Sequence, residues 1–445
     1  MTTVPSHRST PLLPVAPPRS GAGSRLGELF GAMAPAPHLL PALACLALAV
    51  AALVAGLRTA EQTERAAIHA VAPLMLAQAS QGRALQALAF QQPDLLPLYG
   101  SSEVFLPNKY DARTVFQRFP TGFTVFPVAN TGTSALIYVQ SLAAVGPAVR
   151  GRQVVISFTP DPFLRSGVDP QYYAGRFSRL HANELAFSGS LSLALKRDAA
   201  RRMLDYPATL ERDPLLAFAL RRLADASLPS RTLYALALPL GRLQVLVLRL
   251  QDHWETLAQL DQQADFAPPT RSGPSGVDWP ALLQQARSEL QRPANRRRYE
   301  YDKSGWIFSG RLGIREENRE RDAAFVQGLR QSREWTDLDL LLRVVAELGA
   351  RPLLVSEPLY AREYDLRGIS PQARHVYYVQ LRAAARRYGV ALRDFEDHER
   401  DPYFLKDRQS HPTQAGWVLL DETLDAFYHG RFPAPSDGAG AAGGP

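Results

Sequence analysis

Five short, mainly apolar runs constrain this chain more than any other feature. Leu95–Tyr99, Phe123–Val128, Val154–Phe158, Pro352–Val355 and Val390–Arg393 read as strands. Ser134–Val145, Leu338–Leu348, Pro371–Tyr388 and Trp417–Tyr428 carry helical spacing between and after them. A continuous apolar run such as Val154–Phe158 suits a strand covered on both faces. Strand–helix alternation of this kind builds a parallel sheet with helices packed on it. The expected fold class is therefore α/β, with a doubly wound parallel sheet.

The middle, residues 165–330, breaks the rhythm. It reads as mostly helical, with Pro-Gly-Ser punctuation at Ala267–Val277, and is expected to be a helical insertion beside the sheet, a lid or a docking element. Within it Leu233–Leu250 is unusually apolar, but Pro239, Gly241, Arg242 and Arg249 interrupt it. A buried or interfacial helix pair is expected there rather than a membrane span.

Ahead of the sheet, residues 1–37 are rich in Pro, Ser, Gly and Ala and read as a disordered tail. Leu39 to Leu57 is almost wholly apolar, long enough to cross a hydrocarbon layer of about 30 Å as a helix within residues 38–58. Small residues such as Ala51, Ala52 and Ala55 leave a cleaved signal peptide as the alternative, but the long preceding tail favours an uncleaved anchor. Arg8, Arg19 and Arg25 precede the run, which places the N-terminus in the cytoplasm and the rest in the periplasm or outside the cell. Residues 59–92 then read as a stalk helix, 93–164 and 331–432 as the α/β domain, and 433–445 as a floppy tail.

The formal charge of +7 comes largely from Arg and suits an anionic membrane or polymer. No basic-aromatic motif accompanies it, so nucleic acid is not an expected partner. The one cysteine, Cys45, lies in the apolar run, which leaves the remainder without a disulfide or thiolate metal site. His and acidic residues lack the close spacing of zinc sites, and no phosphate-binding loop is present, so neither a metal nor a cofactor is expected.

Two places carry candidate chemistry. Gly100-Ser101-Ser102-Glu103 follows the first strand, where open α/β sheets bind ligands. A Ser hydroxyl there becomes a nucleophile only with a base and with donors for the oxyanion; an ordinary turn is the plainer alternative. Among nine histidines, His411 alone has an acid (Asp407) a turn before it and a Gly416-Trp417 helix start after it. His7 and His38 precede or border the apolar run and His69 lies on the stalk. His181, His253, His375, His398 and His429 read as solvated surface. Asp407 suits the orienting acid of a triad or a plain helix cap, with Asp397 and Asp401 as rivals.

These blocks resemble the DltD family of D-alanyl transfer proteins, which is similar to the SGNH hydrolases and anchored by one N-terminal helix. Gly100-Ser101-Ser102-Glu103, Val125–Gly132 with Asn130-Thr131-Gly132, Val154–Pro160, Asp394-Phe395, Asp401–Phe404, Asp407, His411 and Gly416-Trp417 carry the resemblance, which covers about 95–428. It implies an SGNH-hydrolase-like domain in which Ser102, third in the Gly-x-Ser block, is the nucleophile, with Ser101 as runner-up. It also implies His411 as base, Asp407 as acid, the amides of Ser102 and Gly132 as the oxyanion hole, and Ser101, Glu103, Thr159 and Trp417 at the substrate. Two positions depart from the pattern. Arg408 occupies the place three before the histidine, so Asp407 lies four before it, and Asp161 falls near the usual oxyanion-hole Asn.

The activity implied is a Ser-dependent O-acyltransferase. By that resemblance it moves an acyl group, D-alanyl in that family, onto a hydroxyl of teichoic acid, lipopolysaccharide or exopolysaccharide. The implied partners are a DltB-like membrane-bound O-acyltransferase and the D-alanyl carrier system, met through the anchor or the 233–250 region. An envelope-polymer esterase using the same Ser and His, and a non-catalytic scaffold subunit, are the alternatives.

Overall fold

A computed structural model of the chain describes residues 38–74, 82–262, 276–292, 318–406 and 411–433. Both expected tails lie almost wholly outside the described residues. The chain divides into two compact units, the first ending at Gly56 and the second beginning at Leu57. Helix α1 runs from Leu39 to Val71. In the first unit its described residues are apolar and exposed, and α1 is long and apolar enough to cross a membrane.

The second unit is built on five parallel strands: β1 (Leu95–Gly100), β2 (Thr124–Ala129), β3 (Gln153–Phe158), β4 (Arg351–Ser356) and β5 (Ala391–Arg393), in the order β2-β1-β3-β4-β5. Leu98 and Tyr99 of β1 lie opposite Val155 and Ile156 of β3, and Leu98 also pairs with Pro127 of β2. Side chains alternate across the sheet as strand geometry requires. Tyr99, Val154, Ile156 and Leu354 enter one core; Leu96, Leu98, Val155, Leu353 and Val355 enter the other. Both faces are buried, which is why the strands read as continuous apolar runs.

Helices α2 (Arg83–Gln91), α3 (Ser102–Phe105), α4 (Ala112–Arg118) and α5 (Ala135–Val145) sit among the first three strands. Between β3 and β4 come α6 (Pro170–Arg176), α7 (Arg179–Phe187), α8 (Leu193–Met203), α9 (Pro214–Ala224), α10 (Leu228–Gln262), α11 (Trp279–Gln291), α12 (Asn318–Gln331) and α13 (Glu334–Leu348). Helices α14 (Ala361–Leu366), α15 (Pro371–Arg387) and α16 (Gln414–Tyr428) complete the unit.

Three sequence expectations change. The stalk is not one helix, because α1 ends at Val71 and α2 is a separate element packed under the sheet. There Tyr99 donates its hydroxyl to Gln86 Oε1 at 2.8 Å. The 233–250 stretch is one helix, α10, not a pair. His181 is buried rather than solvated, and its pKa falls to about 3 because burial penalises the cation and Arg83 repels it. His253 is half-buried and bonds Glu64 at 2.8 Å.

Candidate active site

The carboxyl ends of β1, β2 and β3 open on one cleft of about 270 Å³. Strand order reverses between β1 and β3, so this is the crevice that an open α/β sheet leaves for a ligand. Ser101, Ser102, Gly132, Thr159 and His411 all line it.

Ser101 turns the chain out of β1 and into α3. Its amide donates to Glu103 Oε1 at 2.8 Å, and its Oγ accepts from the amides of Gly132 at 3.0 Å and Thr133 at 3.2 Å. Ser101 thus ties the β1 loop to the β2 loop and is nearly buried. Ser102, at the start of α3, is more exposed in the same cleft. Gly132 has φ of 73°, a left-handed conformation, and a Cβ there would lie 2.7 Å from the Tyr172 ring. Its amide is already engaged by Ser101. Arg176 braces the loop from outside, donating from Nε to the Thr131 carbonyl at 2.5 Å.

Glu103 lies behind the serines, buried rather than lining the cleft. Its pKa is pushed up to about 7, chiefly because burial penalises the carboxylate. The Ser101 and Glu103 amides, the Ser157 hydroxyl and the nearby charge of His411 pull the other way.

His411 arrives from the far end of the chain on a small antiparallel clip. Leu405 bridges Pro412, Lys406 donates its amide to the His411 carbonyl at 2.9 Å, and Thr413 donates its amide to Phe404 O at 2.8 Å. Thr413 also caps α16, its Oγ1 accepting from Ala415 N at 3.1 Å and Gly416 N at 3.2 Å. The imidazole is half-buried at the cleft.

Two expected site residues, Glu103 and Trp417, do not line the cleft. Trp417 is in the core beside Val418 and Leu420. Asp407 lies outside the described residues. Its rivals are engaged elsewhere: Asp397 pairs with Arg393 at 3.0 Å and Asp401 with Arg287 at 2.8 Å. The cleft also contains Asp161, noted in the sequence as a departure from the family pattern, and, not singled out there, Ser134, Arg165, Asp169 and Tyr172. Asp161 pairs with Arg165 at 2.7 Å, Asp169 caps α6, and Tyr172 covers Gly132. Ser134 presents a buried hydroxyl with no hydrogen-bond partner among the described residues. The available signal was position, since Asp161–Tyr172 directly follows β3 at the point where strand order reverses. No group of three or more His, Cys, Asp or Glu suited to a metal occurs among the described residues.

A family model described as "DltD protein" matches residues 73–429. Protein DltD of Bacillus subtilis (strain 168) is 28% identical over 360 residues, covering 78% of this chain and 86% of that protein. Protein DltD of Staphylococcus aureus (strain NCTC 8325 / PS 47) is 23% identical over 362 residues, covering 80% and 87%. Protein DltD of Lacticaseibacillus rhamnosus is 21% identical over 385 residues, covering 84% and 86%.

Proposed function

As the chain belongs to the DltD family, we propose that it is a membrane-anchored acyltransferase of the D-alanylation system, working through a Ser ester on an SGNH-hydrolase-like domain. The observation that carries this reading is the convergence of Ser101, Ser102, Gly132 and His411 on one cleft.

Ser102 is the proposed nucleophile because it is the more exposed serine, whereas the Ser101 oxygen is occupied by two amides. Ser102 Oγ attacks the carbonyl carbon of the acyl donor and passes its proton to His411. The tetrahedral oxyanion is met by the amide of Ser102 and by that of Gly132, shared with or released from Ser101. Collapse expels the donor's leaving group, which takes the proton from His411, and leaves the acyl group esterified to Ser102. An acceptor hydroxyl of the envelope polymer, deprotonated by His411, then repeats the attack and regenerates the free serine. Asp161 stands where a neutral oxyanion donor is usual, and the Arg165 guanidinium beside it offsets its charge. Asp407 remains the proposed orienting acid. A DltB-like membrane O-acyltransferase with the carrier system is the proposed source of the acyl group, and the soluble domain is proposed to lie outside the cytoplasm.

A fluorophosphonate probe tests the reading on the full chain. The wild type should be labelled covalently and Ser102→Ala should not, while His411→Ala should slow labelling by about 10²- to 10⁴-fold. Labelling that survives Ser102→Ala but vanishes with Ser101→Ala would move the nucleophile by one residue, and no labelling of the folded wild type would leave the scaffold reading. In cells, Ser102→Ala should lower the acyl content of the polymer; a rise would indicate an esterase.

A further inference from the structure

Helix α10 has two faces of opposite character. Inward, Tyr234, Val245 and Leu248 enter the core. The Gln244 amide donates to Asp213 at 2.8 Å, and Arg249 pairs with Glu184 at 2.5 Å. Outward, Leu233, Leu236, Leu240, Leu243, Val247 and Trp254 are exposed, Leu236 at 72% and Trp254 at 77%. At 3.6 residues per turn these six fall in one stripe about 80° wide, opposite the packed face.

Charge follows the same pattern. Between Leu228 and Gln251 there is no Asp or Glu, and Arg231, Arg242 and Arg249 fall on the side of the helix away from the stripe. A face of leucines without an acidic residue and a tryptophan towards one end are what a helix lying in a bilayer interface needs. The anchor run is close in chain terms. Its apolar stretch ends at Leu57, and Glu64, about 10 Å further along a helix, bonds His253 of α10 at 2.8 Å.

We propose that α10 rests on a bilayer surface, its stripe sunk to the headgroup–acyl boundary. It is long and apolar enough to be counted as a span. A spanning α10, however, would drag Asp213, Asn183 and Glu184, the partners of its polar side chains, into hydrocarbon. Lying flat, it keeps them and buries only the leucines. This contact is independent of the chemistry in the cleft.

The test uses the full chain with Cys45→Ser, which removes its one thiol. Single cysteines at Leu236→Cys, Leu243→Cys and, on α15, the exposed Val379→Cys carry an environment-sensitive fluorophore in vesicles containing phosphatidylglycerol. Nitroxides on the lipid chains should quench the probes at 236 and 243 several-fold more than the probe at 379, and aqueous iodide should show the reverse order. Equal iodide access at all three positions would overturn the proposal. So would protection of 236 and 243 from both quenchers, which would mean that a second copy of the chain covers the stripe. Leu236→Asp with Leu243→Asp should abolish lipid quenching of a probe at 240 without changing the melting temperature; persistent quenching in that variant would also count against bilayer contact.

Discussion

At the scale of single residues, Glu103 sets a condition on the cleft. Its carboxyl is buried, supports the Ser101 amide, and holds its proton up to about pH 7 against an ordinary value of 4.5. Between those values the folded chain keeps a proton that the unfolded chain releases. This contribution to stability is therefore complete below pH 4.5 and is lost as pH rises to 7, at a slope of up to about 1.4 kcal/mol per pH unit. Glu103→Gln, which cannot ionise, should flatten that part of the profile in denaturant titrations from pH 4.5 to 7.5. An unchanged slope would mean that the carboxyl is solvated in the native state. His181 works in the opposite sense: buried and neutral, with its pKa down to about 3, it costs stability as pH falls below 6.5. Sequence spacing could not show this, because Arg83, which repels the cation, lies far from His181 in the chain.

At the scale of elements, the strands were legible because a parallel strand buried on both faces must be apolar along its whole length, as Val154–Phe158 is. The Ser loop and the His clip were legible as motifs, since glycine, serine and proline mark them locally. What could not be read was engagement across the fold: that Ser101 accepts the amides of Gly132 and Thr133, or that Trp417 turns into the core. Helix α10 shows the limit of reading breakers. Pro239 and Gly241 suggested an interruption, yet Pro239 lies on the exposed side, and Gly241 sits against the Phe187 ring where a Cβ would collide. Tertiary packing overrides helix propensity there. Gly241→Ala should therefore lower stability by about 1–3 kcal/mol through overpacking, whereas Leu236→Ala on the outer face should stay within about 0.5 kcal/mol. Chemical denaturation of the detergent-solubilised chain measures both, and equal effects would contradict the packed and open faces assigned to α10.

At the scale of the whole molecule, the arginines ahead of Leu39 and the apolar first half of α1 set an expected topology. A reporter enzyme active only outside the cytoplasm should work when fused after Phe432 and fail when fused before Leu39. The opposite pattern would place the cleft on the cytoplasmic side. The doubly wound order brings β1 near the start of this unit beside β3, while the histidine clip comes from residues just before the last helix. The proposed nucleophile and base thus emerge from the ribosome at opposite ends of synthesis. On the proposed chemistry, a chain still being made holds a serine with nothing to deprotonate it, and a product truncated before the clip should be inert. Reactivity would then arise only when the histidine clip closes on the sheet, so that the unfinished protein should not acylate itself or its neighbours on the way to its destination.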